Sequence, residues 1–315
     1  MSTQVKKRIV AAFGRSTFGN NYPEQKNAVK QAATAVADLV EDGYDVVVTH
    51  SNGIQVGQIH TAMTEFHRLD PSYPVAPMTI CTAMSQGYIG YDLQNAIRTE
   101  LISRGIFVPV CTIITQTRVE PFDRAFTHPT KVIGRVMNEQ EAKEEEEKGN
   151  YVTKVGENQY RRILASPNPI SIYEMDAVKA LVDAGQIVIA GGGGGIPVLQ
   201  QGANLRGASA VIEKDLTAGR MAEELAADDL LFLTRIDKVM LNYGTKDETP
   251  IDRMTVSEAQ EYLAANQFES GSMRPKIEAA INFVSGFSTR RAIIAALGHT
   301  DDAIKGRCGT IIVNG

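Results

Sequence analysis

Five consecutive glycines, Gly191 to Gly195, close a short apolar stretch, Gln186-Ile187-Val188-Ile189-Ala190. The stretch is β-branched and short enough to form a fully buried strand. Glycines at the end of such a strand let the backbone approach a ligand closely and aim N–H groups at a phosphate. Downstream, Glu213-Lys214-Asp215 follows the apolar Ala210-Val211-Ile212, and Gly271-Ser272-Met273-Arg274-Pro275-Lys276 lies beyond it. Two lysines can neutralise a polyphosphate, so the set points to phosphoryl transfer, although it is neither a P-loop nor a dinucleotide fingerprint. Plainer readings stand beside this one. The glycines can be a tight turn for helix–strand packing, and Lys214-Asp215 a surface ion pair worth under about 1 kcal/mol. A lysine such as Lys276 in a first helical turn opposes the helix dipole, which favours an anion beside it.

These residues need a scaffold, and the chain supplies one by alternating strands with helices. Arg8 to Phe13 predicts a first strand, ending at Gly14. Pro23 and Gly43 bracket a helix whose apolar stripe is Val29, Ala32, Ala33, Val36, Leu39 and Val40. Tyr44 to Thr49 reads as a second buried strand, ended by His50-Ser51-Asn52-Gly53. Helices are expected from about Gly57 to Arg68 and from Ser85 to Arg104, with a third strand from Phe107 to Thr115. From about Arg118 to Ser166 the pattern breaks into a polar excursion, with the acidic run Glu139 to Lys148 as a solvated helix between short strands. Later elements are a helix from Glu174 to Ala184, a strand at Ala210 to Ile212, a helix from about Leu216 to Ala226 and a strand from Asp229 to Thr234. Helices from Thr255 to Asn266 and from Pro275 to Ser285 follow, then strands at Arg291 to Ala296 and Gly309 to Val313. Such alternation predicts an α/β fold with a mostly parallel sheet and helices on both faces. Ligands bind beyond the carboxyl ends of such strands, where the loops at Gly14, Ser51 and Gly191 all fall.

At 315 residues and 43% hydrophobic, the chain can bury a large core. No apolar run approaches the roughly 20 residues that span a membrane. Met1 to Arg8 is short and polar and carries no signal-peptide pattern. A net charge of −5 argues against a nucleic-acid partner. Cys81, Cys111 and Cys308 are odd in number and widely spaced, fitting reduced thiols in a cytoplasm. The histidines lack metal-ligand spacing, so no protein metal site is expected.

Several segments, taken in order, resemble the carbamate kinases of the amino-acid-kinase superfamily. They are Asn52 to Gly57, Met84-Ser85-Gln86-Gly87-Tyr88-Ile89-Gly90-Tyr91, Pro129-Thr130-Lys131, Tyr160-Arg161-Arg162, Gly192 to Pro197, Val211 to Asp215 and Gly271 to Lys276. The resemblance implies an open eight-stranded, mainly parallel sheet sandwiched by helices, with a protruding subdomain at about 118–166. It implies an N-terminal acceptor lobe over 1–200, a C-terminal nucleotide lobe over 201–315 and a homodimer. The implied chemistry is reversible transfer between ATP and carbamate with magnesium, ADP and carbamoyl phosphate being the other pair, as in arginine metabolism. By this resemblance Lys214 and Lys276 hold the phosphates, Asp215 orients them and Lys131 reaches in from the subdomain. Leu233, Tyr243 and Met273 would contribute to the adenine pocket. Met84 to Tyr91 is expected at the dimer interface or in the core, and Arg161 and Arg162 in structural roles.

The departures from the family pattern are lopsided. Gly-Gly-Asn is replaced by Gly14-Arg15-Ser16, Gly-Asn-Gly-Pro-Gln by Ser51-Asn52-Gly53-Ile54-Gln55, and Asp-Ala-Gly-Arg-Gly by Val155-Gly156-Glu157-Asn158-Gln159. All fall on the acceptor side or in the subdomain. Arg15 places a guanidinium where bare N–H groups are expected, and a positive φ there would cost on the order of 1–2 kcal/mol. A guanidinium can also grip a carboxylate bidentately. Two alternatives therefore stand beside carbamate: a same-fold kinase for another carboxylate-bearing acceptor, and a nucleotide-binding pseudokinase with a regulatory role.

Overall fold

The structure, a computed structural model, describes residues 6–315; Met1–Val5 lie outside the described residues, as does the side chain of Ser16. Eight strands form the central sheet. From edge to edge they are Arg253–Thr255, Thr310–Val313, Arg291–Ala296, Asp229–Thr234, Arg8–Phe13, Asp45–His50, Ile187–Ile189 and Val110–Thr112. Neighbours run parallel except Arg291–Ala296 against Thr310–Val313. Side-chain alternation along each strand feeds two cores. Ile9, Ala11, Phe13, Leu231 and Leu233 pack under the helices Tyr22–Glu41, Met78–Ser103 and Thr300–Ile304. Val10, Ala12, Leu230 and Phe232 pack under Met175–Asp183, Lys214–Glu224 and Met273–Val284.

The strands Arg8–Phe13, Asp229–Thr234 and Arg291–Ala296 occupy the residues their composition predicts. Other expectations need correction. The third strand shrinks to Val110–Thr112, and the chain then turns into a second sheet of Gln116–Val119, Pro169–Ile172, Ile196–Gln201 and Asn204–Gly207. Ala210 to Ile212 is not a strand: it makes one parallel bridge, Ala165 to Ala210, and is apolar because it fills a small core with Val119 and Ala165. The third α-helix begins at Met78, seven residues before Ser85, with Pro77 at its N-cap. Arg253–Thr255, not expected as a strand, pairs outside Thr310–Val313 at the sheet edge. A division after residue 200 falls inside the strand Ile196–Gln201.

The excursion is a three-stranded antiparallel sheet, Lys131–Met137, Gln159–Leu164 and Tyr151–Gly156, carrying the acidic helix Glu139–Glu147. Asn138 and Glu141 close that helix with a capping box. Arg161 donates to the Gly134 carbonyl, and Arg162 to Asn150.

Candidate active site

Three strand-end loops meet at one end of the sheet. The glycine run forms a single tight turn, Gly192–Gly194, with Gly191, Gly193, Gly194 and Gly195 at φ +65°, +66°, +91° and +83°. Such angles suit glycine, and space demands it as well. A Cβ on Gly192 would lie 2.4 Å from His50 Nε2, and one on Gly193 2.1 Å from Asn52 Nδ2. One on Gly194 would lie 2.5 Å from the Ile212 carbonyl. The packing around the turn therefore accepts only glycine. The turn closes with Gly194 N–H to Gly191 O and Gly195 N–H to Gly192 O. The first N–H groups of the turn, those of Gly192 and Gly193, have no partner within it.

Beside this turn runs the helix Lys214–Glu224, tied to it by Thr217 Oγ1 donating to Gly194 O at 2.9 Å. Lys214, Asp215 and Lys276 are 9%, 6% and 8% exposed. Asp215 receives Lys214 Nζ on one oxygen and Lys276 Nζ on the other, the latter at 2.9 Å. Lys276 arrives from the helix Met273–Val284, which packs against Lys214–Glu224 although Val256–Ala264 intervenes in the chain. The two helices come close at Gly219, where an added Cβ would meet Ala279 Cβ at 3.1 Å. Lys276 Nζ also donates to the Ser272 carbonyl at 3.0 Å, and Lys214 Nζ lies 6.0 Å from the Phe232 ring centre. Burial pushes the Lys214 ammonium below its ordinary range, and Lys276 adds to this against the pull of Asp215. Burial alone would raise Asp215, yet the two lysines outweigh it and hold the carboxyl below its usual value. Two ammonium groups and one carboxylate leave one buried positive charge in excess.

On the other side of the turn, Gly14 N–H donates to Leu233 O at 3.0 Å, and Ser51 N–H to Phe13 O at 3.2 Å. Gly14 has φ −70° and Arg15 has no positive φ, so the arginine enters without backbone strain. Arg15 is exposed, and its guanidinium makes no hydrogen bond or ion pair among the described residues. Ser16 continues the same short helix, Arg15–Phe18. Asn52 Nδ2 donates to Ser85 Oγ at 2.9 Å, and Gly53 opens the helix Gly53–Leu69. Lys131 reaches from the subdomain to pair with Glu213, the residue before Lys214.

A model of the amino acid kinase family matches residues 7–296. "Carbamate kinase" of Clostridium perfringens (strain 13 / Type A) is 44% identical over 312 residues, spanning 97% of this chain and 99% of that protein. The chain belongs to the carbamate kinase family. "Carbamate kinase-like protein YqeA" of Escherichia coli (strain K12) is 46% identical, spanning 98% of this chain and 99% of that protein. Among solved structures, carbamate kinase from Giardia lamblia bound to AMP-PNP superposes with a TM-score of 0.92 at 34% identity, covering 99% of each chain.

Of the positions that carbamate kinase resemblance singles out, Lys214, Asp215, Lys276, Gly192, Gly193, Gly194 and Asn52 come together, and Lys131 is linked through Glu213. Leu233, Tyr243 and Met273 lie on three different segments. Leu233 is fully buried on the sheet face opposite the lysines, while Tyr243 is exposed in the loop after Val239–Leu241. Met273 starts the helix that carries Lys276. The altered segment Val155 to Gln159 is the hairpin turn of the subdomain, with Asn158 at φ +48°.

His50, Gln86 and a set of threonines also line the turn, without a sequence motif that marks them as site residues. His50 is buried, and burial lowers its imidazole to about 4, with the positive charge of Lys214 pushing the same way. Its place at the end of a buried strand was the available signal. Gln86 Nε2 donates to Gly192 O at 3.0 Å, although its segment reads as interface or core. No group of three or more His, Cys, Asp or Glu among the described residues could hold a metal ion, and both oxygens of Asp215 are taken by lysines. The residues present do not form a dedicated magnesium cage.

Proposed function

We propose that this chain is an ATP-dependent phosphotransferase that interconverts ADP plus carbamoyl phosphate with ATP plus carbamate. One observation carries the reading. Two buried lysines share a single carboxylate beside a glycine turn whose Gly192 and Gly193 N–H groups have no partner among the described residues. A buried excess charge is costly unless an anion completes it, and a phosphoryl group does so. Phosphoryl transfer asks mainly for positioning and charge neutralisation, which this arrangement supplies. In the ATP-forming direction, the bond from phosphorus to the carbamate oxygen breaks as a bond to the β-phosphate oxygen of ADP forms. Lys214 and Lys276 neutralise the oxygens of the group in flight, and Asp215 keeps both ammonium groups aimed. Lys131 adds a third cation from the acceptor side. Magnesium enters with the nucleotide as part of the substrate, because its usual partners at such sites are phosphate oxygens.

The acceptor is assigned to the N-terminal part of the chain and the nucleotide to the C-terminal part, near Met273 and Tyr243. Two copies associate through the helix Met78–Ser103, which presents Ile80, Met84 and Tyr91 to solvent. A cytoplasmic location fits three unpaired cysteines, and no helix among the described residues is long and apolar enough to cross a membrane.

A second reading, transfer to a larger carboxylate-bearing acceptor, is favoured by the exposed guanidinium of Arg15, which has no partner among the described residues. A comparison of acyl phosphates as donors to MgADP decides between the two. Carbamoyl phosphate giving the highest kcat/KM supports the first reading, and preference for acetyl phosphate or a bulkier acyl phosphate overturns it. Arg15→Gly with Ser16→Asn would then shift that preference towards carbamoyl phosphate.

A further inference from the structure

The glycine turn is held from outside by buried side chains, and each grips a carbonyl. Thr49 Oγ1 donates to Gly191 O at 2.9 Å, and Gln86 Nε2 to Gly192 O at 3.0 Å. The hydroxyls of Thr117 and Thr217 both donate to Gly194 O at 2.9 Å. Within a planar trans peptide, the C=O of one residue and the N–H of the next are rigidly opposed. Fixing the Gly191 carbonyl therefore fixes the Gly192 N–H, and fixing the Gly192 carbonyl fixes the Gly193 N–H. Those are the two N–H groups the turn leaves over.

Gln86 differs from the threonines because it joins the turn to a second element. Its Nε2 also donates to Thr115 O at 3.2 Å, and its Oε1 accepts the Thr115 N–H at 2.8 Å. Thr115 Oγ1 in turn accepts the Gly191 N–H at 3.0 Å. One amide, 1% exposed, thus ties the Gly192 carbonyl to both the N–H and the carbonyl of Thr115, in the loop after Val110–Thr112. An amide is required, since the position must donate to two carbonyls and accept from one N–H.

We propose that Gln86 is a positioning residue for phosphoryl transfer, its amide orienting the Gly192–Gly193 peptide so that the Gly193 N–H meets the transferring group. The inference rests on the phosphotransferase reading above. Two variants test it. Gln86→Met keeps the volume and removes the polarity, and Gln86→Glu keeps the shape but sets a carboxylate against two carbonyls. Kinetics of ATP formation are measured beside amide hydrogen exchange over Gly191–Gly195, ADP titration and thermal unfolding. The expected result is a fall in kcat of about 10–100-fold, larger for Gln86→Glu, as a small misplacement of an aligned group would give. Exchange in the glycine segment quickens, while the ADP dissociation constant and the exchange of distant strands stay as in the parent protein. A role limited to packing would spare Gln86→Met, so unchanged kcat or unchanged segment exchange in that variant overturns the proposal. Absence of ATP formation by the parent protein would instead overturn the phosphotransferase reading, and the exchange comparison would still show whether Gln86 holds the turn.

Discussion

Asp215 is the residue on which the site balances. It is buried, and each of its oxygens receives an ammonium group. Removing one partner of a buried ion pair costs far more than the pair contributes, because the remaining charge stays desolvated. Asp215→Asn leaves two lysines facing a neutral amide, and a stability loss of about 3–5 kcal/mol is expected. Urea unfolding monitored by circular dichroism measures it; a loss below 1 kcal/mol would show that the triad is not electrostatically coupled. The identities of Lys214, Asp215 and Lys276 were legible in the sequence, since charged residues abut an apolar run and a proline-led helix. Their sharing of one carboxylate was not, because Asp215 and Lys276 stand 61 residues apart and meet through helix packing. Gln86 was hidden for a related reason: a buried glutamine within an apolar helix reads as core until its carbonyl partners are seen.

Elements differ in how plainly the sequence announces them. Arg8–Phe13, Asp229–Thr234 and Arg291–Ala296 are the interior strands whose apolar runs are unbroken and whose ends are polar or glycine-bounded. Ala210 to Ile212 has the same composition, yet burial against Val119 and Ala165 satisfies it without a ladder. The hairpin Ile196–Gln201 with Asn204–Gly207 escaped notice because its exposed tip is polar and lacks alternation. The glycine turn is where an element's geometry can be tested. At Gly193, φ is +66° and a Cβ would lie 2.1 Å from Asn52 Nδ2, so both strain and overlap oppose any side chain. Gly193→Ala is expected to cost roughly 2–4 kcal/mol, the left-handed penalty and overpacking together. Gly53→Ala, with open space at its Cβ and no positive φ, should stay within about 0.5 kcal/mol of the parent. Equal melting temperatures for the two variants would contradict this account of the turn.

Across the whole molecule, acid should act through the same site. His50 is buried and its imidazole lowered to about 4, against an ordinary value of 6.5. In that interval the unfolded chain binds the proton and the folded chain does not, so stability falls as pH drops from about 6.5 towards 4. The full effect is on the order of 3 kcal/mol, most of it due to burial. Asp215, held below its ordinary value, acts in the same direction at still lower pH, its contribution fading as the carboxyl protonates. Melting temperatures recorded between pH 7 and 4.5 should fall more steeply for the parent than for His50→Gln. Identical slopes would assign the acid sensitivity to other groups. The continuous sheet matters here too: His50 and Lys214 are 164 residues apart, yet the glycine turn after Ile187–Ile189, the strand beside Asp45–His50, packs against both His50 and Ile212, two residues before Lys214.

The most direct test of the central claim is the rate of ATP formation from MgADP and carbamoyl phosphate by the parent protein and by Lys276→Met. Turnover in the ordinary kinase range of roughly 1–100 per second is expected for the parent. The variant is expected to lose about 10²–10³ in kcat, as removal of one preorganised charge from a transition state does. Equal kcat in the two proteins would contradict the assignment of the buried lysines to the transferring phosphoryl group.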